Sequence, residues 1–81
     1  MHTIEKDPNL ILESLIKHQR VKVLKIAQRI SPGVTSEDIR NPQDFPKLIS
    51  DPDFNFEDGI LSGLLSAQIA IRQQKHLKPI S

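Results

Sequence analysis

Leu12, Ile16, Gln19, Val23, Ile26 and Ile30 follow one another at spacings of 4, 3, 4, 3 and 4. A helix of 3.6 residues per turn brings such positions onto one stripe, whereas a strand would scatter them over both its faces. Leu15 and Ala27 widen the stripe into a face suited to a core. The segment is punctuated at both ends. Asp7 precedes Pro8, so its carboxylate can cap the free amides of the first turn while proline occupies a position whose missing donor costs nothing. "SPG" at residues 31–33 stops it. A helix over residues 8–30 follows, with the seam Leu12, Ile16, Gln19, Val23 and Ile26 as its packing face. Leu10, Val21 and Leu24 fall on other sides, so a second surface of this helix also calls for cover.

A second long helix is expected over about 53–77, opened by "DPDFNFEDG" at residues 51–59 and ended before Pro79. Its first half is apolar nearly all round, through Ile60, Leu61, Leu64, Leu65, Ile69 and Ile71. Gly59, Gly63, Ala67 and Ala70 add a stripe of small residues. Each glycine inside a helix costs about 1 kcal/mol relative to alanine, and close approach of another backbone is the compensation expected here. Gly59, Gly63 and Ala67 therefore join the candidate packing residues.

Residues 31–50 are too long for a bare turn. "TSED" reads as a cap with an acidic residue at the third helical position, and "NPQDF" repeats the Asx-Pro opening. The expectation is a connector of short helical turns, pinned by Val34, Ile39, Phe45, Leu48 and Ile49, with a flexible tail at 78–81. The whole is one all-α domain over residues 1–81: two long antiparallel helices forming a helical hairpin. Two such hairpins would pair into a four-helix bundle and cover the surplus apolar surface. A monomer whose connector folds back over that surface is the alternative.

Composition narrows the function classes. There is no cysteine, so disulfides, thiolate zinc sites and thiol catalysis are all excluded. The N-terminus lacks the pattern of a secretory signal, and the most apolar run, "GILSGLLSAQIAI", is too short and too polar to cross a bilayer. A cytoplasmic location away from membranes is the expectation. The net charge of +1 hides a segregation: residues 14–34 hold five bases and no acid, whereas residues 35–58 hold seven acids against Arg40 and Lys47.

Asp51, Asp53 and Asn55 share the 1, 3, 5 spacing of a calcium loop. Phe56 then stands where the tight turn needs glycine, and Ser62 where a bidentate glutamate is needed. These acids read instead as helix caps and partners of the positive helix end, and no metal or cofactor is expected. His18, Lys22, Lys25 and Arg29 lie on one helix face and could meet a phosphate backbone. The absence of Tyr, Trp and any helix-turn-helix signature argues against nucleic acid and for a solvated or paired face. His2, His18 and His76 and the serines form no catalytic spacing; Ser62 and Ser66 sit one helical turn apart, where hydroxyls bond backbone or water. Gln19 interrupts the apolar seam. It reads equally as an interfacial register device or as a side chain reaching water.

The expected function is a small protein–protein interaction module, an adaptor, regulator or assembly subunit, acting through helix surfaces without catalysis. A homodimer is the expected partner arrangement, with another protein as a further possibility. The alternative is a nucleic-acid-binding regulator using the basic face of the first helix.

Overall fold

The structure is a computed structural model, and it describes residues 7–74. The described chain contains helices and turns without strands: α1 (Pro8–Ile30), α2 (Ser36–Ile39), a 3-10 turn (Pro42–Asp44), α3 (Pro46–Ile49) and α4 (Pro52–Gln74). The two long helices pack against each other. The expected continuation of the second helix to residue 77 and the tail at 78–81 lie outside the described residues.

Local chemistry sets each boundary. Asp7 Oδ1 accepts the Asn9 amide at 2.9 Å, with Pro8 in the first turn. At the other end Ser31 turns extended while its amide still donates to the Ala27 carbonyl at 2.8 Å. Gln28 Nε2 then donates to the Val34 carbonyl at 3.2 Å, which folds the chain back and brings Val34 into the core at 2% exposure. The "TSED" segment forms a reciprocal capping box: Thr35 Oγ1 accepts the Asp38 amide, and Asp38 Oδ2 accepts the Thr35 amide at 2.9 Å. "NPQDF" does open with proline in its first turn, but Asn41 makes no side-chain cap. A 3-10 turn of three residues leaves few orphan amides for it to satisfy.

α4 begins at Pro52, one residue earlier than the spacing suggested. Asp51 Oδ1 accepts the Phe54 amide at 2.9 Å, and Asn55 Nδ2 reaches back to the Ile49 carbonyl at 2.8 Å. The first bond caps the turn that carries the buried Phe54, and the second ties α4 back to α3. The core itself is small: Ile16, Val23, Ile26 and Ala27 from α1, Val34 and Leu48 from the connector, Phe54 and Leu61 from α4. Leu24, Ile30, Ile39, Phe45, Leu64 and Leu65 pack around it, partly buried. The connector thus supplies core residues of its own in addition to joining the long helices.

Among the described residues, nothing packs against the small-residue stripe. Gly59, Gly63 and Ala67 are exposed, and a Cβ built on Gly59 or Gly63 meets nothing within 4 Å. The reason is rotational: Phe54 and Leu61 fix which side of α4 faces α1, and a position two residues away from Leu61 lies well round the helix from that side. No backbone approaches the small-residue stripe within the chain.

Candidate interaction surfaces

Gln19 is the one buried polar side chain among the described residues, at 9% exposure. Its Nε2 donates to both the Glu57 main-chain carbonyl and Glu57 Oε1, each at 2.8 Å. Lys22 Nζ lies 3.6 Å from Glu57 Oε2. Neither sequence reading of Gln19 describes this arrangement, since the amide meets a carboxylate of the same chain. The seam tolerates a polar residue because α4 places a matching acceptor opposite it. Nothing in the local spacing of α1 announces that partner, which lies 38 positions further on.

The rest of the seam is where the spacing put it: Ile16, Val23 and Ile26 are buried, and Leu12 is half-buried at the outer end. His18, Lys22, Lys25 and Arg29 are all exposed. Of these, Lys22 alone forms an ion pair among the described residues, and its lysine end is well solvated. The other ion pair there joins Arg40 to Glu37 at 3.9 Å, on the surface, where such pairs contribute little.

The acids of residues 51–58 disperse. Asp51 caps α4, Asp53 sits exposed in its first turn, Glu57 faces Gln19 and Lys22, and Asp58 faces an open groove. Among the described residues no three His, Cys, Asp or Glu side chains gather where a cation could sit. Asn55 spends its amide on Ile49. His2 and His76 lie outside the described residues.

The groove has a volume of about 530 Å³ and runs between α1, α4 and the connector. Val23, Leu24, Ile39, Leu61 and Leu65 form its apolar wall, with Arg20, Arg40 and Asp58 among them. Burial raises the Asp58 pKa above its ordinary 3.8, because a carboxylate in partly apolar surroundings loses hydration. Ser62 lines the groove and Ser66 is exposed.

The surplus apolar surface expected from the sequence is left open within the chain. Leu10, Ile11, Leu15, Val21, Ile49, Phe56, Ile60 and Ile69 are all exposed, Phe56 to 66%. Among the described residues they equal the core in number, so as many large apolar side chains stand in water as residues are enclosed in the core. From Gly59 to Ile71 α4 carries no charged residue at all, and so its outward side lacks the charges that normally mark a solvated helix face. None of the helices described is long and apolar enough to cross a membrane. Comparison with protein-family models, curated proteins and solved structures finds no match.

Proposed function

We propose that this chain is a small helical interaction module that works by binding through helix surfaces rather than by catalysis, and that a second copy is its partner. The observation that carries this reading is the charge-free stretch of α4 from Gly59 to Ile71, with Ile60 and Ile69 open to solvent on opposite sides of the helix and Phe56 exposed one turn before Ile60. Large apolar patches on soluble domains mark interaction sites. The internal arrangement suits a helical hairpin. Lys22 with Glu57 occupies one flank, while Arg20 and Leu24 share the groove with Asp58 and Leu65 on the other. Antiparallel helices bring those pairs together; parallel helices would set each pair on opposite flanks. Two hairpins then complete a four-helix bundle.

Light scattering coupled to size exclusion, over a wide range of protein concentration, tests the proposal. A mass of two chains is expected, rising in population with concentration. A single-chain mass throughout overturns the second-copy reading.

The basic face favours one other reading. His18, Lys25 and Arg29 are exposed and form no ion pair among the described residues, so a phosphate backbone could dock there. Binding to a random duplex at low salt, lost with added salt and with Lys25→Glu, would support it. No binding at low salt rejects it.

A further inference from the structure

The connector covers one flank of the α1–α4 pair. The opposite flank, marked by the Lys22–Glu57 ion pair, presents two helical rows. On α1 the row is Ile11, Leu15, His18, Lys22, Lys25 and Arg29, at spacings of 4, 3, 4, 3 and 4. On α4 it is Asp53, Glu57, Ile60, Leu64, Ala67 and Ile71, at the same spacings. Both rows have the periodicity of a helix-packing seam.

Each row is also divided into an uncharged and a charged part, in opposite order along the two helices. On α1 the N-terminal part is apolar and exposed, Ile11 at 45% and Leu15 at 47%, and the C-terminal part is basic. On α4 the N-terminal part is acidic and the remainder is uncharged. In an antiparallel pair the apolar parts share one end of the hairpin, and the basic and acidic parts share the other.

The geometry points to a specific mode of self-association: two copies join through this flank about a two-fold axis running along the hairpin, so that α1 of each lies on α4 of the other. The inference rests on the second-copy reading above and adds its orientation. Only this operator satisfies the distribution of charge and apolarity. It sets Leu15 against Leu64 and Ala67 of the other copy, and Lys25 against Asp53. A two-fold axis perpendicular to the hairpin would lay the apolar end of one copy over the charged end of the other and desolvate charges without partners. Pairing through the stripe of Gly59, Gly63 and Ala70 would leave Ile11 and Leu15 in water.

Because the chain has no cysteine, oxidative cross-linking reads the orientation directly. Leu15→Cys and Ala67→Cys are both at exposed positions and leave the core untouched. Mixed and oxidised, the two single-cysteine chains are expected to give a covalent dimer joining one of each, and far less of either homodimer. Predominant homodimers of Leu15→Cys, or rapid cross-linking of Gly63→Cys with itself, would overturn the orientation while leaving the second-copy reading standing. A single-chain mass of the unmodified protein in light scattering would overturn both.

A second measurement uses charge. Asp53→Lys and Lys25→Glu each set like charges across the interface twice per dimer, and each alone should weaken dimerisation by about tenfold. In a mixed dimer both contacts become opposite-charge pairs again, so mixing should restore the original affinity. A repulsion within one chain is not repaired by mixing, and failure of the mixture to recover would overturn the proposed contact.

Discussion

Gln19→Leu tests the pairing of the two long helices most directly. The substitution keeps the volume of the side chain and removes its two hydrogen bonds to Glu57, one to the main-chain carbonyl and one to Oε1. The carbonyl keeps the amide four residues on as its helical partner. The carboxylate, only 13% exposed, is left with Lys22 at 3.6 Å. A hydrogen bond to a charged group contributes about 1.5–3 kcal/mol and a neutral one about 0.5–1.5 kcal/mol. Burying leucine in place of the amide returns about 1.5–3 kcal/mol, so at mid-range the net loss should be about 1 kcal/mol. For a domain of this size that corresponds to a fall in Tm of roughly 4–8 °C. Thermal and urea unfolding followed by circular dichroism at pH 7 measure it. The double variant Gln19→Leu/Glu57→Leu removes donor and acceptor together and should recover most of the loss, since replacing both partners by apolar groups is nearly neutral. A single variant as stable as the parent, or a double variant whose loss is the sum of the two singles, would refute the claim that this bridge couples α1 to α4.

Asp51→Ala removes the cap on the Phe54 amide and should cost about 0.5–2 kcal/mol, seen as a lower urea midpoint at unchanged slope. Gly63→Ala adds a Cβ to open space and gains about 1 kcal/mol of helix propensity; a loss of stability instead would reveal a close neighbour at that position. Asp58→Asn should raise Tm at pH 7 and leave it nearly unchanged at pH 3. Burial holds the folded-state pKa above 3.8, so the folded chain retains a proton that the unfolded chain has released, and stability falls as pH rises through that window. Equal effects at both pH values would assign the change to something other than charge.

How far the fold could be read from the residues depends on how local the cause is. The two long helices are legible because their causes lie within a few positions: a 4, 3 spacing, an Asp-Pro start, a "SPG" stop. The capping box at Thr35 and Asp38 is legible for the same reason. The Gln19–Glu57 bridge is not, because its two halves are remote in sequence and each half alone looks unexceptional. Where the small-residue stripe points is hidden for a related reason. Gly59, Gly63 and Ala67 do share a helix side, but which side of α4 meets α1 is set by Phe54 and Leu61, and those large residues turn the glycines outward. The basic face of α1 is legible as a face; its single ion pair to Glu57 emerges only from packing.

The same logic explains why α1 carries two seams. Its core-facing row, from Leu12 to Ile30, and its flank row, from Ile11 to Arg29, have the same spacing pattern because both must follow the helix axis. They differ in what occupies them. The core row stays apolar throughout apart from Gln19, whose partner is built into the chain. The flank row changes from isoleucine and leucine to histidine, lysine and arginine partway along, while the facing row on α4 changes from acid to uncharged in the reverse sense. A flank meant only for solvent would have no reason to leave Ile11 and Leu15 exposed beside a charge-free stretch of α4. A buried row within one chain would have no reason to end in three bases. In the proposed dimer, a row that meets the complementary row of a second copy would account for both halves at once, and the charged half would select the orientation that the apolar half alone leaves open.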